Sequence, residues 1–304
     1  MAVITTGNHP KALWPGVHAW FGARYDAHEA EYPQLFDVKD SAKAFEEDVE
    51  QSSFGLAPIK PEGVGTSYDQ HQQGALKRYI HVAYSLGYIV TREELADNLY
   101  TEVSMQRAQS LAFSMAQTRE NVAANVYNRA GTAGYTGADG KVLLASDHPV
   151  MSGSTQSNLL STAAQLSEAS LEDLCVQVMN ASNSRSLKIS LRPTALIVST
   201  ANAFEAERIL KSSLQNDTAN NAVNALRSRG AVPTYYVNHY FSTSTPNYWF
   251  LRTNAPNGMN WFDREAVGFQ RDTDFDTDNA KAKSYMRFSC GWTDWRGCYG
   301  SLAS

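Results

Sequence analysis

Three stretches of the chain carry residue types that could do chemistry. Asp147-His148-Pro149 sets a carboxylate beside an imidazole, as a hydrolase would need. No Gly-x-Ser-x-Gly elbow accompanies it, and none of the three cysteines, Cys175, Cys290 and Cys298, has a catalytic-looking context. Asp272, Asp274, Asp276 and Asp278 alternate like the start of a calcium loop. Thr277 stands where that loop needs glycine and Lys283 where it needs a bidentate glutamate, so a solvated acidic turn is the reading. The run from Gly134 to Val142 approaches a phosphate-binding loop, but its spacing is wrong and the magnesium-binding hydroxyl is missing. An enzyme hidden in residues 141–262 would have to use Asp147, His148 and His239. No pair of these has the spacing that acid–base or nucleophilic catalysis requires. The expectation is no catalytic residue, no cofactor and no metal.

Composition narrows the classes further. The 304 residues hold 31 acids against 26 bases, a net charge of −5, with no basic run of five. Strong general affinity for nucleic-acid phosphates is not expected. The segment Met1–His9 lacks the charged head and apolar core of a secretory signal, and no stretch approaches a membrane span. An odd, sparse cysteine set without Cys-x-x-Cys suits a reducing cytoplasm.

The elements stand out more than any site. Thr91 to Glu94 form a capping box. From there Leu95, Leu99, Ala108, Leu111, Ala112, Met115, Val122, Ala123 and Val126 recur at helical spacing until Gly131. A continuous helix over 92–129 would measure ~57 Å, longer than the ~50 Å of a compact ball of this chain length. The protein is therefore expected to be flat or elongated, with neighbours covering its surface. Residues 1–50 read as an extended arm with a short helix near Ser41–Val49. Ile80, Val82, Tyr84, Leu86, Tyr88 and Val90 alternate with Lys77, Tyr79, His81, Ala83 and Ser85, which predicts a long β-hairpin over 54–90 with its tip at 69–74. A lone hairpin is marginal in water, so a partner subunit should cover its apolar face.

Beyond the helix, Lys141–Ala145 reads as a short strand and Ser170–Asn180 as a helix. Leu196–Ser199 reads as a buried strand, followed by a helix over Ala201–Leu214 with Phe204, Ile209 and Leu210 inward. Strands are expected at Thr234–Phe241 and Asn247–Arg252. The last strand places Ala282, Ser284, Met286, Phe288, Cys290 and Trp292 on one face, and Lys281, Lys283, Tyr285 and Arg287 on the other. The class is α+β.

This order of parts resembles the major capsid protein of tailed bacteriophages, the Hong-Kong-97-type fold. Several strings are similar to that family in order: Leu143 to Pro149 with Gly153 and Ser157-Asn158-Leu159; Leu191 to Ser199 with Phe204 to Leu210; Asn254 to Phe262; and Phe275 to Asn279 leading to Gly291–Gly297. The resemblance implies an N-terminal arm (1–48), an extended E-loop (49–90), a P-domain with its spine helix (91–159), an A-domain (160–268), and a P-domain long strand with C-terminal return (269–304). It implies a homo-oligomeric shell of pentamers and hexamers around double-stranded DNA, without sequence-specific DNA binding and without a membrane. Scaffolding, portal and cement proteins would be the other partners, with assembly in the host cytoplasm into the virion. Intersubunit contacts would fall on E-loop residues Asp69, His71, Lys77, Arg78, Ile80, Val82 and Tyr84 and on the P-domain strand at Lys281, Lys283 and Arg287. An encapsulin-like compartment holding an enzyme is the alternative with the same fold.

Fewer than a hundred residues precede the spine, and arm and hairpin use them all, so scaffolding is expected from a separate protein or not at all. Some relatives crosslink an E-loop lysine to a neighbour's asparagine. Lys60 and Lys77 lie in this region without a dedicated catalytic environment. Boiling assembled particles in SDS is therefore expected to release monomer-sized bands, and a ladder of covalent multimers would contradict that.

Overall fold

The computed structural model describes residues 21–26, 28–96, 100–215, 222–274 and 276–303. In chain order the strands are β1 (Asp37–Asp40), β2 (Phe45–Gln51), β3 (Gln73–Ile80), β4 (Val82–Val90), β5 (His148–Pro149), β6 (Thr155–Gln156), β7 (Pro193–Ser199), β8 (Thr234–Asn238), β9 (Trp249–Thr253), β10 (Met259–Thr273), β11 (Ala280–Trp292) and β12 (Cys298–Ser301). Two four-stranded sheets form the frame, ordered β1-β10-β11-β4 and β12-β9-β7-β8, and neither closes on itself.

In the first sheet β10 and β11 run antiparallel, from Met259 opposite Trp292 to Thr273 opposite Ala280, with register shifts between Asp263 and Gly268. The predicted alternation of the last strand holds: Ala280, Ala282, Ser284, Met286 and Phe288 are buried, while Lys281 and Lys283 are exposed. The helix Tyr100–Asn128 packs on this sheet through Ala108, Leu111, Ala112, Met115, Ala123 and Tyr127, spaced as one helical stripe. Its 29 residues give a rod of ~43 Å. A further helical segment, Arg92–Ala96, precedes it, and the junction at 97–99 that would make one continuous helix lies outside the described residues, as do residues 1–20 of the expected arm. Trp261 sits beneath the helix, stacked on Phe288 at 4.5 Å and against Tyr32 at 4.7 Å. Tyr127 Oη donates to Leu35 O at 2.6 Å, tying the short helix Tyr32–Leu35 to the rod.

The second sheet has a central β7 that is continuously buried from Ala195 to Ser199. It runs parallel to β8 and antiparallel to β9, with the helix Ala203–Lys211 packed on it. The helix Glu168–Met179 begins with a capping box of Ser167 and Ser170 and packs on β12. Gly258 and Gly297, from two of the family-like strings, meet backbone to backbone. A Cβ on Gly258 would lie 2.6 Å from the Gly297 Cα, so neither position admits a side chain without displacing the other segment's backbone.

Several expectations are corrected. The hairpin is formed by β2 with β3, not by two strands within 54–90, and residues 52–72 carry no strand. The expected helix near Ser41–Val49 is β2 itself, because its acids face the bases of β3, with Glu47 opposite Arg78 and Asp48 opposite Lys77. Alternation runs unbroken through His81, yet the chain changes sheets there, and β4 pairs with β11. Lys141–Ala145 is a loop with one isolated bridge from Val142 to Thr136. Phe204 points outward at 74% exposure, because Ala206 and Ile209 set the buried stripe of its helix. The 15-residue β10 has no counterpart in the sequence reading.

Asn158 is fully buried and holds the return of the chain together. Its Oδ1 accepts from Ala145 N at 3.0 Å, and its Nδ2 donates to Leu143 O at 2.6 Å and Cys298 O at 2.9 Å. Asn158→Ala leaves these backbone groups unpaired in the core, at a cost of ~3 kcal/mol. Thermal unfolding of the variant is expected several degrees below the wild type, and an unchanged Tm would remove Asn158 from this role.

Candidate functional site

The part of the molecule that projects from the frame is the β2–β3 hairpin and the loop 53–71 above it. At the neck of the loop, Ser52 N donates to Gln72 O at 2.9 Å, and Gln72 N donates to Ser52 Oγ at 2.8 Å. Beyond the neck, Phe54, Leu56, Ile59, Val64 and Tyr68 are all exposed, Ile59 and Tyr68 to 95%. This is an unusual concentration of bare apolar surface for a loop held by its own chain.

The loop is clamped from one side. Arg185 pairs with the Asp69 carboxylate, and its Nη2 donates to Gln70 O at 3.0 Å. Gly55 N also donates to Asp69 Oδ2 at 2.7 Å. The Arg185 side chain first, and the Gly55 and Gln70 N–H groups with it, hold the Asp69 carboxyl down at about 2.

The hairpin base is mounted on the first sheet by polar groups rather than by apolar packing alone. Tyr79, 3% exposed, places its Oη 2.6 Å from Thr293 Oγ1. Thr293 Oγ1 donates to Asp48 Oδ2 at 3.1 Å, and Asn260 Nδ2 donates to the same carboxylate at 3.2 Å. Lys39 closes the cluster, donating to Asn260 Oδ1 at 2.9 Å. Burial pushes the Tyr79 hydroxyl up to about 12, so it remains a neutral hydrogen-bonding group throughout the physiological range. At the crossover, His81 lies between Ser41 Oγ at 3.1 Å and Ser289 Oγ at 3.0 Å, which pins the point where the chain leaves the hairpin for the sheet.

The residues expected to make intersubunit contacts fall into two groups. Asp69 and His71 belong to the exposed loop, where the His71 ring lies 6.0 Å from Phe54. Ile80 is 67% and Val82 49% exposed. Arg78 pairs with Glu47 at 2.5 Å and lies over Phe45. Lys77 and Tyr84 are turned inward: Lys77 donates to Thr136 O at 3.2 Å above Trp292, and Tyr84 stacks on Phe288 at 4.9 Å. Lys281 pairs with Asp274, Lys283 is exposed, and Arg287 donates from Nε to His81 O at 3.5 Å. The apolar loop residues and Arg185 were missed. Five large apolar side chains among closely spaced glycines and prolines were the available signal for the loop. Arg185, 116 residues from Asp69, had none.

The stretches that suggested chemistry are structural. His148 is fully buried, with Nδ1 2.6 Å from Asp139 Oδ2, Nε2 3.1 Å from Asn158 Oδ1, and its ring stacked on Trp295 at 4.5 Å. Asp147 pairs with Lys141 at the surface. His239 lies at the surface, with Nδ1 2.5 Å from Glu31 Oε1. The acidic run is the turn of the β10–β11 hairpin, closed by Asp274 N donating to Asn279 O at 2.9 Å. Among the described residues no group of three or more His, Cys, Asp or Glu side chains could hold a metal ion, and no helix is long and apolar enough to cross a membrane.

Residues 77–301 match the model of the phage capsid protein family. No curated protein matches the sequence. Among solved structures, a chain of Microbacterium phage Oxtober96 is 8% identical with a TM-score of 0.55, covering 91% of each chain. One of Mycobacterium phage Patience is 11% identical at 0.55, covering 99% of this chain and 89% of its own. The virus-like particle from Pyrococcus furiosus is 11% identical at 0.53, covering 94% and 98%. At these identities the likeness is one of fold.

The clamp predicts a local effect. Arg185→Ala is expected to raise proteolytic nicking within 53–71 several-fold while the Tm of the frame stays put, and the Asp69 carboxyl should return toward its ordinary 3.8. Because Asp69 is depressed in the folded state, its contribution is present above pH 3.8 and lost only as pH falls through about 2. Equal nicking of variant and wild type at neutral pH would show that the ion pair does not restrain the loop.

Proposed function

The chain belongs to the phage capsid protein family, and from that premise we propose that it closes into an icosahedral head through pentamers and hexamers, enclosing double-stranded DNA. It is a structural major capsid protein with the Hong-Kong-97-type fold expected from the order of its parts. The observation that carries the assembly reading is the loop 53–71. Its apolar side chains are bare in the isolated subunit, yet the loop is fixed at its neck, at Asp69 and at the hairpin base. A neighbour covering that loop would bury the Ile59 and Tyr68 side chains and remove the cost of exposing them.

In this reading the domain plan is the family's: an arm to residue 48, an E-loop over 49–90, P-domain segments at 91–159 and 269–304, and an A-domain over 160–268. The observed hairpin begins somewhat earlier, at Phe45. The contact residues are those of the loop and hairpin that point outward, Asp69, His71, Arg78 and Ile80, together with Val82 at the start of β4 and Lys283 on the long strand. Lys281, exposed in its pair with Asp274, stays among the proposed contacts, and Lys77, Tyr84 and Arg287 position these from within the subunit. In this reading the chain is a structural protein rather than an enzyme, which is supported by the burial of His148 among its partners and of the thiols of Cys175, Cys290 and Cys298, pushed up to about 12. The net charge of −5 suits a container that does not grip its contents. In the same reading a portal is the further partner, scaffolding comes from a separate protein or not at all, and the particle assembles in the host cytoplasm.

Negative-stain microscopy with sedimentation tests this on the purified chain, alone and with co-expressed scaffolding protein. Closed shells or capsomer-sized rings are expected. Ile59→Asp with Tyr68→Asp should leave subunit stability within ~0.5 kcal/mol, as both positions are solvent-exposed, and should abolish shells. A monomer under every condition, or shells unaffected by the double variant, would overturn the reading. Particles carrying protein cargo and no nucleic acid would favour the compartment with the same fold.

A further inference from the structure

Glu31, Glu120 and His239 come from three distant parts of the chain and meet on one side of the long helix. Glu120 is 2% exposed, its Oε1 accepts from Glu31 N at 3.1 Å, and its Oε2 is buried with no hydrogen-bond partner among the described residues. The Glu31 carboxylate is taken up by residue 239, accepting from His239 N at 3.0 Å with Oε1 2.5 Å from His239 Nδ1. Tyr240 adds to the wall, its Oη 3.0 Å from His28 Nε2. Arg119, the preceding residue of the helix, directs its Nη groups away, donating to Asp263 at 2.6 Å and to Tyr25 Oη at 3.1 Å, and lies over the Tyr32 ring. Two carboxyl groups are therefore neighbours, and among the described residues the buried one has no ion-pair partner of its own.

A buried carboxyl beside a second carboxylate is stable as the neutral acid and costly as the anion. We propose that this joint is a proton-operated latch, in which neutral Glu120 holds residues 28–36 against the long helix and the 238–242 turn, and ionised Glu120 releases them. The segment it controls matters to the frame. Leu35 and Phe36 enter the core beside Tyr127, and β1, which follows directly, pairs with β10.

The direction follows from linkage. Burial first, then the Glu31 carboxylate against the opposing Glu31 and Tyr32 N–H groups and Arg119, pushes Glu120 from 4.5 up to about 7. A carboxyl that holds its proton more tightly in the closed joint favours closure fully below about 4.5 and loses that contribution as pH rises through about 7. His239 also holds the Glu31 carboxylate, so the two groups must be separated by variants.

Amide hydrogen exchange on the full chain, corrected for the intrinsic pH dependence of exchange, reads the latch. Protection of amides 31–36 is expected to fall at least ~10-fold between pH 5 and pH 8 in the wild type. Glu120→Gln should keep the pH 5 level of protection at pH 8, and His239→Ala should retain the fall. A flat wild-type profile overturns the proposal, as does a fall that survives in Glu120→Gln or disappears in His239→Ala. Should Glu120→Gln fail to fold, Glu31→Gln serves instead. Removing the neighbouring carboxylate should move the wild-type midpoint to lower pH, and an unmoved midpoint overturns the latch.

Discussion

The antiparallel pairing of β10 with β11 is the constraint on which the rest of the structure depends. Each strand gives its inner edge to the other and its outer edge to one more strand, β1 for β10 and β4 for β11. One face of this ladder receives the long helix, through Trp261 and Phe288 and the small residues Ala280 and Ala282. A slip of one residue would turn Lys281 and Lys283 into the core and Ala282 and Ser284 out of it, so the alternation leaves a single workable register. The glycine contact between residues 258 and 297 and the knot at Asn260 and Thr293 then fall at the same end of the ladder.

From that end the hairpin projects, held by polar groups whose geometry is directional. Apolar packing alone permits sliding, whereas a tyrosine, a threonine, an asparagine and a carboxylate that satisfy one another inside a low-dielectric site do not. The bare loop is therefore held at a defined place relative to the sheet although it touches little of the core. Glycine and proline along 55–65 also leave the loop without a strand edge, so its apolar residues are available to a neighbour without offering a template for open-ended β-pairing.

How far the sequence could be read follows from the range of each signal. The last strand and the long helix were legible because burial on one face writes a period of 2 or 3.6 directly into the residues, as in Ala282-Lys283-Ser284 and Leu111-Ala112-Met115. The choice of partner was not legible. Alternation across Ile80, His81 and Val82 is the same whether the chain continues in one sheet or crosses to another, and only the contacts of His81 with Ser41 and Ser289 mark the crossing. β10 was missed because its first four residues are buried in succession while its far end is largely exposed, so no single period spans it. Phe204 was misplaced because a large apolar residue was weighed above the phase that Ala206 and Ile209 set. Glu120 reads as an ordinary polar residue of a helix, and nothing local reveals that Glu31 lies against it.

The buried polar groups divide by whether their partners are complete. Asn158, His81 and Asn260 are each surrounded by donors and acceptors that match them, and at those points a neutral, fully bonded side chain fixes one backbone segment against another. Glu120 differs in kind: one oxygen is bonded and the other is not, and its nearest charged neighbour on the adjoining segment has the same sign. A fully satisfied group gives a joint that is indifferent to solvent conditions, whereas a half-satisfied titratable one makes the joint depend on a proton. The first kind is found where the hairpin and the chain's return meet the frame, and the second where the segment leading into β1 docks on the helix. The frame is thus rigid where it must present surface and adjustable where its first described strand is attached.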